Sequence, residues 1–134
     1  MSFVLDASVA AAWALSDEQS DLADAMLTRT SLNGAVVPPI WWYEIRNILV
    51  TAERRKRISA QDTDEFLTRL PKLSIQVGNF GEGNEILNLA RLHQLSIYDA
   101  AYLELALRER LPLATLDEKL ASAAVVAAVS VLKS

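Results

Sequence analysis

Cysteine is absent from this 134-residue chain, and histidine occurs once, at His93. Without thiols there are no disulfides, thiolate zinc sites or cysteine nucleophiles, which fits a reducing compartment. With one histidine, a Ser-His-Asp triad has to use His93, and a histidine-rich metal centre is excluded. Any metal here is therefore bound by oxygen, which selects hard ions such as Mg2+ or Mn2+. Glycine is scarce, and the three at 78, 81 and 83 lack both the GxGxxG spacing and a following Lys-Ser or Lys-Thr pair, so they make no phosphate-binding loop. Long hydrophobic runs are missing too. The longest uncharged apolar stretch, residues 120–132, falls short of the roughly 20 residues that cross a bilayer. No basic segment precedes the first apolar run, which Asp6 interrupts. We expect a cytoplasmic protein with no membrane association. A net charge of −4 argues against broad coating of nucleic acid, though it leaves room for a local basic strip.

What is present is a foldable chain. Hydrophobic residues make up 51% and charged residues 22%, which suits one compact domain over residues 1–134. Short apolar runs at 2–6, 35–37, 73–77 and 112–115 read as strands, and a closing strand is expected within 125–132. Helical periodicity covers 7–15, 18–32, 40–57, a segment from Ser59 to Pro71, 82–93, 97–110 and 117–124. Asn33-Gly34 marks a turn, and Pro38-Pro39 breaks the chain ahead of the long central helix. Strands alternating with helices indicate an α/β layer fold around a mainly parallel sheet.

Four acids stand out because their neighbours want to be buried. Asp6 ends Phe3-Val4-Leu5, Glu44 lies within Trp41-Trp42-Tyr43-Glu44-Ile45, Asp99 within Ile97-Tyr98-Asp99-Ala100-Ala101-Tyr102, and Asp117 closes Ala114-Thr115-Leu116-Asp117. An unpaired buried carboxylate costs several kcal/mol, so convergence of the four would call for a cation among them. The layout makes convergence plausible on geometry. In open parallel sheets, sites form beyond the carboxyl ends of strands where the strand order switches. Asp6 and Asp117 follow strands there, and Glu44 and Asp99 start helices near that edge.

These segments resemble the PIN-domain family, in particular the VapC-type toxins of toxin–antitoxin pairs. The resemblance rests on Val4-Leu5-Asp6-Ala7-Ser8-Val9, Glu44-Ile45-Arg46-Asn47-Ile48-Leu49, Tyr98-Asp99-Ala100-Ala101-Tyr102-Leu103 and Leu113-Ala114-Thr115-Leu116-Asp117-Glu118-Lys119-Leu120, in that order along nearly the whole chain. It implies a three-layer α/β/α sandwich, Mg2+- or Mn2+-dependent cleavage of RNA, a cognate antitoxin protein and a homodimer. It also implies that Asp6, Glu44, Asp99 and Asp117 form an acidic quartet with Thr115 as the accompanying hydroxyl. In that setting Asp6 and Asp99 are the principal metal ligands, Asp117 supports them, Glu44 is a ligand or the base for the attacking water, and Thr115 orients Asp117 or a water. Water attack leaves a 5′-phosphate and a 3′-hydroxyl.

Each residue also has a plainer reading. Taken singly, Asp6, Asp99 and Asp117 suit helix N-caps, and Glu44 suits a helix surface. Asn47 shares a face with Glu44 and either steadies it or makes a local hydrogen bond. Arg54-Arg55-Lys56-Arg57 complements a helix C-terminus, and of Trp41-Trp42 one ring is expected in the core and one outside. His93 reads as a boundary residue, and Glu82, Glu85 and Glu104 read as solvated. An aspartate-nucleophile phosphatase is disfavoured by Ser8 standing where a second acid belongs, and a phosphate-accepting receiver by the absence of an Asp at the end of the 73–77 strand. The principal alternative is a non-catalytic module whose acids hold a structural ion or meet a basic partner.

Overall fold

The structure, a computed structural model, describes residues 2–134. Strands β1 (Val4–Leu5), β2 (Ala35–Val37), β3 (Ile75–Val77) and β4 (Leu113–Ala114) form one parallel sheet in the order β3-β2-β1-β4. Val4 lies opposite both Val36 and Leu113, which fixes the register at the centre. β1 and β4 are buried throughout, and such continuous apolar runs belong to a sheet covered on both faces.

Seven helices connect and cover the strands: α1 (Ala7–Ala14), α2 (Asp21–Asn33), α3 (Ile40–Arg54), α4 (Ala60–Arg69), α5 (Gly83–His93), α6 (Ile97–Glu109) and α7 (Glu118–Val126). The chain steps from β1 to β2 to β3 in one direction, then returns past β1 to β4. Right-handed crossovers therefore put α1–α4 on one face and α5 and α6 on the other. Packing agrees: α1 meets α2, α3 and α4, while α6 meets α5, α7, β1 and β4. The expected three-layer α/β/α sandwich is what forms.

Local sequence explains most boundaries. The hydroxyls of Ser20, Ser59 and Ser96 accept from the backbone N–H groups of Ala23, Asp62 and Asp99, capping α2, α4 and α6. Gly34, at φ 77°, ends α2 in a conformation that other residues resist. Two helices fall three residues short of the predicted range at one end. α2 starts at Asp21 because Ser20 caps it, and α3 stops at Arg54. Lys56 then turns left-handed at φ 59°, and Arg57 folds back onto Asp17 and Glu18 at 2.9 and 2.8 Å. The closing strand expected within 125–132 shrinks to a single parallel bridge between Val131 and Leu113. α7 consumes Val125 and Val126, and Ala128 (φ 64°) turns the chain just before it reaches the sheet.

Candidate functional site

Strand order reverses between β1 and β4, since the connection from β1 runs to one side and the connection into β4 arrives on the other. Backbone diverges at such a point and leaves a crevice beyond the carboxyl ends. Asp6 and Thr115 are the first residues past these two strands, and the Asp6 N–H donates to the Ala114 carbonyl at 3.0 Å. Both side chains are buried, at 6% and 5% exposure.

Asp6 stands at the N-cap position of α1 but does not cap it. Its Oδ2 accepts instead from Thr115 Oγ1 at 2.6 Å and Ser8 Oγ at 2.8 Å. These hydroxyls also accept backbone N–H groups, Thr115 from Asp117 and Ser8 from Leu116. Thr115 thus orients Asp6 as well as the Asp117 backbone. Asp117 does cap: Oδ1 accepts from the N–H groups of Lys119 and Leu120 at 2.8 and 3.1 Å. Asp99 does not, because Ser96 performs that task for α6.

Glu44, in the second turn of α3, is half-buried, and its Oε1 accepts from the phenol of Tyr102 at 2.6 Å. Tyr102 is fully buried, and its oxygen also accepts the Ala7 N–H at 3.4 Å, so one phenol spans from Glu44 to the residue after Asp6. In the sequence alone Tyr102 is one more apolar-helix residue with no marked role. The available signal was its place one helical turn after Asp99, on the same face of α6.

The four acids share one electrostatic environment. Burial raises the pKa of Asp6, with the charge of Asp117 adding to the rise against the lowering bonds from Thr115 and Ser8. Glu44 is raised by burial and by the charges of Asp6 and Asp99, against the Tyr102 hydrogen bond. Asp99 is raised by burial and by Asp117 and Asp6, with Lys119 a weaker opposing charge. Mutual repulsion of this kind needs proximity. Among the described residues no basic side chain pairs with any of the four, and no three acids stand close enough to enclose an ion directly.

The sequence model of the PIN domain matches residues 3–126. The chain belongs to the PIN domain family. Such domains are generally nucleases and typically use divalent metal ions. Comparison with curated proteins returns no match. Among solved structures, this PIN domain is similar to PAE2754 from Pyrobaculum aerophilum (22% identity, TM-score 0.73, 92% of this chain and 84% of that one). It is also similar to FitAcB from Neisseria gonorrhoeae (20%, 0.67, 99% and 97%) and to a toxin-antitoxin complex from Klebsiella pneumoniae (18%, 0.56, 86% and 86%). At these identities the likeness is one of fold.

Several further residues of this PIN domain also find their places. Trp41 is buried and Trp42 half outside, as expected. Arg46 lies flat on Trp42, its guanidinium carbon 3.6 Å from the ring centroid. Arg57 of the basic run is engaged with Asp17 and Glu18. Glu104 corrects an expectation: it is buried at 5% exposure and bonded to Arg108 at 2.8 Å. α6 is covered on almost all sides from Ala100 to Ala106, so a glutamate in its middle has no solvent to face. No helix among the described residues is long and apolar enough to cross a membrane.

Proposed function

We propose that this PIN domain is a Mg2+- or Mn2+-dependent endoribonuclease of the VapC type, the toxin of a toxin–antitoxin pair acting in the cytoplasm. The observation that carries the reading is Asp6, a carboxylate buried at the switch point and clamped by two hydroxyls. The charge of Asp117 adds to the rise in its pKa, and the charge of Asp6 raises those of Glu44 and Asp99. Family membership supports phosphodiester hydrolysis, and the likeness to the Klebsiella toxin-antitoxin complex supports an antitoxin partner.

The donor set fits a hard ion. All the donors are carboxylate oxygens, mutual repulsion is unrelieved by any paired base, and magnesium keeps most of its waters while taking one or two carboxylates. Asp6 and Asp99 would hold it, with Asp117 supporting through the oxygen its cap leaves free. When bound, such an ion supplies positive charge to the phosphoryl oxygens and lowers the pKa of water. Thr115 and Ser8 keep Asp6 in one rotamer, because both hydroxyls donate to its Oδ2. Tyr102 fixes Glu44 by one oxygen; the other accepts the proton of the attacking water. The water oxygen bonds to phosphorus as the bond to the 3′-oxygen breaks. That oxygen takes a proton from solvent, so the products carry a 5′-phosphate and a 3′-hydroxyl.

The competing reading, a non-catalytic module, draws support from Asp117, whose Oδ1 is spent as a helix cap. Asp6, which occupies a cap position without capping, opposes it. Induced expression separates the two. A toxin arrests growth as wild type and not as Asp6→Asn, with RNA cleaved in the arrested cells; equal growth of both strains with intact RNA would reject it.

A further inference from the structure

The crevice beside Glu44 has walls that are not acidic. A cavity of about 270 Å³ is lined by Ile40, Tyr43, Glu44, Asn47, Ile48 and Tyr98. Tyr43 and Tyr98 are 66% and 57% exposed, so the core uses neither ring. Each directly precedes one of the acids, Glu44 or Asp99.

Tyr43 is exposed yet braced. Its ring meets Trp42 edge-on, with centroids 5.1 Å apart. Trp42 is in turn pinned by Arg46, which stacks on its face and donates to its backbone carbonyl at 3.0 Å. An exposed aromatic held this way loses little freedom when something flat stacks on it. Asn47, one helical turn beyond Glu44, presents to the same cavity an amide with both donors and an acceptor.

We propose that this cavity takes a nucleobase: that of the nucleotide beside the scissile phosphate, unstacked and unpaired, with the rings of Tyr43 and Tyr98 against it and the Asn47 amide at its polar edge. The inference rests on the reading of the acidic site as a ribonuclease centre. Every base has a π-face, so aromatic walls accept any of the four, whereas an amide reads a hydrogen-bonding edge and can prefer one. An apolar peptide side chain would strand Asn47 and Glu44 against hydrocarbon. Because Glu44 belongs both to the cavity wall and to the acidic cluster, base and phosphate are engaged within a single nucleotide. The substrate is then single-stranded at the cut.

The test measures binding separately from cleavage. Asp6→Asn protein in Mg2+ is titrated with hexaribonucleotides of A, C, G or U, with a hexamer of abasic ribose-phosphate, and with a duplex, using intrinsic fluorescence. Base-bearing single strands are expected to bind about tenfold more tightly than the abasic strand and the duplex, the scale of one base–aromatic stack. Adding Tyr98→Ala should erase the advantage and Tyr98→Phe keep it, while Asn47→Ala should level differences among the four bases. Equal binding of the abasic strand, or an advantage that survives Tyr98→Ala, would overturn the pocket. Tight, Tyr98-dependent binding of strands that the wild type never hydrolyses in Mg2+ or Mn2+ would uphold the pocket and reject the nuclease reading.

Discussion

Thr115 Oγ1 donates to Asp6 Oδ2 at 2.6 Å, joining residues 109 positions apart in sequence. The bond closes the crevice end of β1 against that of β4. Because the same hydroxyl receives the Asp117 N–H at 3.0 Å, it sets the start of α7 together with the rotamer of Asp6.

Thr115→Val should therefore act on both. Loss of a hydrogen bond to a charged acceptor is expected to cost about 2 kcal/mol, read as a lower midpoint in urea. Loosening Asp6 should weaken metal binding about 10- to 100-fold, read by calorimetry with Mn2+. Thr115→Ser, which keeps the hydroxyl, should restore most of both. Equal affinity in wild type and Thr115→Val would remove Thr115 from the site.

Tyr102→Phe tests how Glu44 is aimed. The phenol stabilises the ionised form of Glu44, so its removal should raise the Glu44 pKa further. If Glu44 takes the proton from water, the acid limb of the pH–rate profile should move to higher pH. A rate that drops with the limb unmoved would make Tyr102 a packing residue alone.

Stability against pH should carry the mark of the acidic cluster. Asp6, Glu44 and Asp99 have folded pKa values raised above their ordinary 3.8, 4.5 and 3.8. The folded state thus holds protons that the unfolded state has released. Their contribution is full below the ordinary values and is lost as pH rises through the folded ones. Asp17, lowered by Arg57, works in the opposite sense and toward lower pH. In EDTA, the thermal midpoint should fall as pH rises above the ordinary carboxylate range, and Asp6→Asn should flatten the slope and raise the midpoint at its high-pH end. The asparagine can accept from Thr115 and Ser8 as the carboxylate does, without the charge. A wild-type midpoint that climbs with pH there would contradict the cluster's electrostatics.

Much of this was legible because burying charge is expensive. An acid inside an apolar run announces either a partner or a site, and that criterion singles out Asp6, which is buried, and Glu44, Asp99 and Asp117, which are partly buried. The same criterion applied to Leu103-Glu104-Leu105-Ala106 would have found the buried Glu104, whose partner Arg108 stands one turn away. Strands of two or three residues were readable from their apolar runs, and most helix ends to within a residue, but the start of α2 and the ends of α3 and α7 were not. Those ends depended on which serine capped and on Lys56 and Ala128 adopting positive φ, choices that packing makes. Tyr102 stayed hidden because a tyrosine in an apolar helix looks like core, and it is core; only the position of its oxygen, set by tertiary structure, ties it to Glu44.

The most direct measurement incubates the purified protein with total RNA from its host in Mg2+, Mn2+ or EDTA, beside folded Asp99→Asn, and maps the ends produced. Discrete cuts that need the metal, carry 5′-phosphates and 3′-hydroxyls, and fall about a thousandfold or more in the variant are expected. Cuts that persist in EDTA or in Asp99→Asn, or that leave 2′,3′-cyclic phosphates, would contradict a metal-dependent acidic centre.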